Sequence, residues 1–188
     1  MNRREALSSV AVLLGGTIIG GQLFSLVGCK STPEMVNDLF NSDDVALMDE
    51  IAETIIPETD TPGAKAAKAG AFMALMVKDC YKPEHQQIFT AGLKTINDLA
   101  QKQYQSSFMD LDAVKKKTML SALDVEQKEY TKDEANKENP HYFRMLKELT
   151  LLGFFTSEVG GTQVLKYVEV PGRYDACIPY KKGDPVYL

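Results

Sequence analysis

The sequence predicts a mainly α-helical fold, a single bundle of about five helices that ends in an irregular C-terminal tail. Three observations predict it. The chain has 188 residues, 44% of them hydrophobic, which suits one domain with a sizeable core rather than two. From Asn41 to Val159 the apolar residues recur at intervals of three and four, the period of an amphipathic helix, with prolines between the periodic segments. After Gly160-Gly161 that pattern gives way to prolines, glycines and tyrosines.

Residues 1–28 read as an export signal, 29–41 as a tether and 42–188 as the helical body. Arg3 and Arg4 precede an uncharged run from Ala6 to Gly28, the layout of a signal peptide. As a helix that run would reach about 35 Å, so its length alone also fits an uncleaved membrane anchor. Two features favour the signal. Asn2-Arg3-Arg4-Glu5-Ala6-Leu7 resembles the twin-arginine export motif, and Gly15-Gly16 and Gly20-Gly21 dilute the apolar run. Leu26-Val27-Gly28-Cys29 resembles a bacterial lipobox, in which the Cys29 thiol would carry the lipid. The competing reading of Cys29 is a buried cysteine at the end of a membrane helix. Cleavage before Cys29 would remove two arginines and one glutamate and move the net charge from −5 to −6. The expected location is the periplasmic side of a bacterial membrane, reached by the twin-arginine translocon and held by lipid.

The first helix of the body carries Val45, Met48, Ile51, Ala52 and Ile55 on one stripe, starts at Ser42, Asp43 and Asp44, and is stopped by Pro57. Thr59-Asp60-Thr61-Pro62-Gly63 forms a turn in which Thr61 caps a second helix, running to Cys80 with Pro62 at its first position. A third helix fits residues 84–104 through Ile88, Phe89, Leu93, Ile96, Leu99 and Ala100. A fourth runs from Asp112 to about Tyr130 on Val114, Leu120 and Leu123, and Thr131 to Asn139 is a loop. The fifth, His141 to about Val159, is the most apolar, with Phe143, Leu146, Leu149, Leu152, Phe154 and Phe155, and is expected at the centre. Prolines and glycines between Pro171 and Pro185 exclude a further regular helix, and the tail is expected to wrap the bundle or a partner.

Composition excludes several functions. A net charge of −5 argues against nucleic acid as a partner, because phosphate recognition needs clustered Lys and Arg. Two histidines and three cysteines leave little material for a multi-His metal centre, a zinc site or a haem attachment. His85 and His141 each follow a helix-starting proline segment and are expected at the surface. Glu50 with Glu53, and Asp110 with Asp112, are expected on solvated helix faces rather than in a catalytic pair. Met73, Met76, Met119 and Met145 sit among apolar residues as core filling. No catalytic residue, metal ligand or cofactor is therefore assigned to this chain. If Cys29 is lipidated, Cys80 and Cys177 remain as an even pair in an oxidising compartment. A bond between them would pin the tail, worth about 4 kcal/mol in the chain-entropy model. Two buried thiols, or a thiol bridged to a partner, are the open alternatives.

Ile55-Ile56-Pro57-Glu58-Thr59-Asp60-Thr61-Pro62-Gly63-Ala64, after one helix and before an alanine-rich one, resembles the signature of the gluconate 2-dehydrogenase subunit 3 family. The ending from Tyr167 through Arg173, Tyr174 and Cys177 to Pro179 resembles that family's C-terminal part. The resemblance implies a small, non-catalytic subunit of a membrane-bound sugar or polyol dehydrogenase. The implied partner is a flavoprotein of the glucose-methanol-choline (GMC) type that holds FAD, often with a cytochrome c subunit carrying haem c. The implied role is to help the flavoprotein mature and to carry it through the translocon. Thr59, Asp60, Thr61, Pro62, Gly63, Arg173 and Tyr174 are the candidate partner contacts, although a capping turn is sufficient reason for Thr61, Pro62 and Gly63. The lipobox cysteine departs from a plain leader of that kind. The competing readings are an independent lipoprotein enzyme or electron carrier, and a lipoprotein scaffold for another partner.

Overall fold

The computed structural model describes residues 33–188 apart from 171, 174, 185 and 188, so Arg3, Arg4, Cys29 and Tyr174 lie outside the described residues. Five α-helices are present among the described residues: α1 Ser42–Ile55, α2 Ala69–Cys80, α3 Pro83–Tyr104, α4 Ala113–Lys132 and α5 Tyr142–Phe155. A short 3-10 turn, Glu134–Asn136, precedes α5, and a π-turn, Gly160–Val164, follows it. Strand-like pairing among these residues is limited to two isolated bridges, Met35 with Asn41 and Lys166 with Tyr187. No described helix is long and apolar enough to cross a membrane.

Local chemistry sets most helix starts. Asn41 accepts from the Asp43 and Asp44 N–H groups while Asp44 accepts from the Asn41 N–H, a reciprocal box that satisfies donors the first turn leaves open. Pro83 opens α3, and Asp112 caps α4 through the Lys115 N–H. At the far end of α3, Gln105 turns left-handed with φ 55° and closes the helix by donating to the Gln101 carbonyl.

Helices α1 and α5 each pack against all the other helices, so the expected central role of the fifth segment is shared with the first. The core joins Met48, Ile51, Met73, Val77, Phe89, Ile96, Leu120, Phe143, Leu146 and Phe154. Fully burying a side chain of this size stabilises by about 1.5–3 kcal/mol, so this cluster holds the bundle together. Met73, Met119 and Met145 are buried and Met76 packs against them from the edge, as core filling requires.

Five expectations are corrected. Residues 34–41 are not a tether but a folded hook: Ser42 donates to the Glu34 carbonyl, Asn37 donates to the Ala74 carbonyl of α2 at 3.1 Å, and Phe40 is buried edge-on against Phe89. The second helix starts at Ala69 rather than near Gly63. Val114 is exposed, and α4 buries Lys116, Met119, Leu120, Leu123 and Gln127 instead. The fifth helix ends at Phe155, and Leu152 and Phe155 are exposed at its end. His141 is buried, between the rings of Tyr130 and Tyr142, and its Nδ1 accepts the Phe143 N–H to cap α5. The tail beyond Leu165 is irregular, as predicted, and exposes Tyr167, Val170, Ile178 and Tyr180.

Candidate partner interface

The loop from Ile56 to Lys68 is built on carboxylates of α1. Asp49, Glu50 and Glu53 lie within about one helical turn, so their side chains leave the helix on neighbouring faces. Glu53 receives the loop at both ends: the Glu58 N–H donates to Oε1 at 2.7 Å and the Lys65 N–H to Oε2 at 2.9 Å. Gly63 is buried against that carboxylate, in space where a Cβ would collide with the Glu53 oxygens. The Ala64 N–H donates back to the Ile56 carbonyl at 3.0 Å and closes the loop at its base.

Asp49 secures the next step. Its Oδ1 accepts the Gly70 N–H at 2.6 Å, in the first turn of α2. This long-range acceptor, with Lys68 left-handed at φ 53° before it, starts α2 where it starts. Thr61 plays no capping part: the helix begins eight residues beyond it, and its carbonyl accepts the Thr59 N–H within the loop. Burial pushes the Asp49 carboxyl above its ordinary value, and the Gly70 N–H and Lys65 offset this only partly.

Glu50 is the structural centre beneath the loop, not a solvated carboxylate. It accepts from Lys116 Nζ at 2.8 Å and from Lys65 Nζ. Lys116 is itself buried, donates to the Met109 carbonyl at 2.9 Å and lies over the Phe108 ring. Burial raises the Glu50 carboxyl, but hydrogen bonds and charge from Lys116 and Lys65 together outweigh it, and the net shift is downward. The two acidic residues further along are also structural, since Asp112 caps α4 and Asp110 accepts from Ser107 Oγ at 2.7 Å.

The loop tip is Thr59, Asp60 and Thr61, all exposed, with Pro62 half-buried behind them. Beside the loop an open hollow of about 250 Å³ is lined by Glu53, Thr54, Pro57, Ala113, Lys116 and Lys117. The geometry therefore brings Thr59 to Gly63 together as one rigidly founded projection with a shallow recess at its foot. It does not bring the tail candidate Arg173 into a buried site: that side chain is exposed and pairs with Asp175 at 2.8 Å. Cys80, at the end of α2, and Cys177, in the tail, are both exposed free thiols. His85 joins the first turn of α3 to the loop before α5 through the Glu138 carbonyl at 2.9 Å. Among the described residues no group of three or more His, Cys, Asp and Glu side chains is placed to hold a metal ion.

Asp49, Glu53 and Lys116 are the residues that sequence reasoning missed. The available signal was the spacing of Asp49 and Glu53 four apart ahead of a loop containing Gly63, with Gly70 beyond it.

Fold and site together define an all-α protein whose most elaborated surface is a fixed loop rather than a deep cleft. A family model described as gluconate 2-dehydrogenase subunit 3 matches residues 42–172, well over half of the chain, and the chain belongs to that family. The family is named for a subunit of a dehydrogenase complex. The matched span contains the whole carboxylate-founded loop and ends at Gly172, just before Arg173. No curated protein and no solved structure matches the chain.

Proposed function

We propose that this chain is a non-catalytic small subunit that binds, matures and co-exports a GMC-type flavoprotein dehydrogenase acting on a sugar or polyol, and helps hold it at the membrane. FAD would reside in the partner and haem c, where present, in a further cytochrome subunit. The twin-arginine leader and the lipobox cysteine would place the complex on the periplasmic side of a bacterial membrane. The observation that carries the reading is the loop at Thr59 to Gly63. Its two ends are clamped by Glu53, while its polar tip is exposed to solvent and, among the described residues, bonds only within itself. A loop fixed in advance loses little entropy on docking, which favours partner recognition over any internal role.

A flavin is loaded in the cytoplasm, so a flavoprotein that uses this route crosses the membrane folded, and a helper carrying the signal must stay bound in transit. Nanomolar binding corresponds to about −12 kcal/mol and usually needs at least about 1,200 Å² of buried surface. The loop is too small for that alone, so the exposed tail is the second contact in this proposal.

Asp60→Ala tests it. Asp60 is exposed and its side chain makes no hydrogen bond or ion pair among the described residues, so the variant is expected to unfold like wild type. Co-purification of the flavoprotein is expected to fall roughly tenfold or more, the loss of a single interface hot spot. Undiminished co-purification removes the loop from the interface. Turnover of a sugar or polyol with an artificial dye by the isolated chain would overturn the reading as a whole.

A further inference from the structure

The folded hook at residues 34–41 changes what an acylated Cys29 would do. Only residues 30–33 separate that cysteine from the fixed backbone at Glu34, and five extended residue steps reach at most about 18 Å. The hook itself cannot pay out more chain. Val36 and Asn37 donate to the Phe40 carbonyl at 3.0 and 3.1 Å, Asn37 holds the Ala74 carbonyl, Asp38 pairs with Lys78 at 3.2 Å, and Phe40 is buried.

The same hook carries an apolar face. Val36 is 54% exposed, and on the adjoining side of α2 Leu75 is 57% exposed. Val36 and Leu75 share one open hollow of about 360 Å³, with Ala71, Lys78 and Asp79 on its rim. A lipid attached so close to this face brings a bilayer within its reach, because the second contact then forms at the high local concentration set by a short link.

We propose that Val36 and Leu75 form a membrane-docking face that lies on the bilayer beside the acylated Cys29 and inserts these side chains among the lipids. This rests on the reading that Cys29 is acylated. The charges around the face are Glu34, Asp38 and Asp79 against Lys78, which is already paired with Asp38. Docking is therefore driven by apolar burial and not by attraction to anionic headgroups, and it proceeds on zwitterionic lipid and at high salt.

The chain contains no tryptophan, so one introduced indole reports alone. The acylated full-length product, purified from membranes as Leu75→Trp or Val36→Trp, is placed in phosphatidylcholine vesicles whose acyl chains carry bromine, a contact quencher. Val125→Trp is the control, on the exposed side of α4, which packs against α1 and α5 rather than α2. Strong loss of emission at positions 36 and 75, with none at 125 and no dependence on salt, is the expected result. Intact mass, read first, separates the two claims. A product without added lipid mass overturns both the anchor and the face. A lipidated product whose 36 and 75 indoles keep their emission overturns the face alone. Protection of those indoles from aqueous iodide only when the flavoprotein is bound would give the face to a protein partner, and also overturns the proposal.

Discussion

The loop from Ile56 to Lys68 and the tail after Val164 are both irregular and both rich in proline and glycine, yet they are held in different ways. The loop is bonded at both ends to side chains of α1, and its glycine is buried against one of them. The tail bonds mainly to itself. Lys166 donates to the Val186 carbonyl at 2.8 Å, Asp184 to the Lys181 carbonyl at 2.9 Å, and Lys166 lies over the Tyr187 ring. Tyr167, Val170, Ile178, Tyr180, Val186 and Tyr187 are exposed. Irregular backbone becomes a fixed shape when half-buried carboxylates from a neighbouring helix collect its N–H groups, and stays loosely tied when only its own residues are available.

The largest expected effect lies at the foundation of the loop. Glu50→Ala leaves the buried Lys116 ammonium without its partner, and breaking such a pair typically costs about 3 kcal/mol or more. The Glu50 carboxyl is held below its ordinary value, so the stability it gives is fully present above about pH 4.5 and is lost as pH falls through the lowered folded value. Urea unfolding of wild type and variant should therefore differ most at neutral pH and converge on acidification. A gap that widens in acid would reverse this account of the pair.

Glu53→Ala comes next, at about 2 kcal/mol for two hydrogen bonds to a carboxylate. Its mark is local. Limited proteolysis should cut between Glu58 and Lys65 much faster in the variant while the helical circular dichroism stays unchanged, and an equally resistant loop would show that Glu53 is not its clamp. The smallest effect is expected from removing residues 173–188, which changes unfolding by no more than about 0.5 kcal/mol because the segment buries little of the core. A large loss of stability would mean that the tail belongs to the fold, and the comparison with the loop would fail.

The helices were readable where their determinants are local. The reciprocal cap of Asn41 and Asp44, the opening Pro83 and the Asp112 cap lie within three residues of the starts they set. The start of α2 was not readable, because its acceptor is Asp49, 21 residues away in sequence, while Thr61 offered a plausible local cap that the fold does not use. Glu50 and Glu53 looked like solvated charges for the same reason: their partners are N–H groups and lysines brought in by tertiary folding. His141 was misplaced because a residue after a proline reads as surface, whereas two tyrosine rings enclose it. The candidate loop itself was legible as a motif; its rigidity was not.

Phe40 acts as a plug at the amino-terminal edge of the bundle, and the described bonds that seat it all begin at Glu34 or later. Among the described residues, the chain from Glu34 onward therefore holds every bond that seats the plug. A chain begun at Pro33 is accordingly expected to melt with its plug seated, as a fragment of residues 33–188 would show.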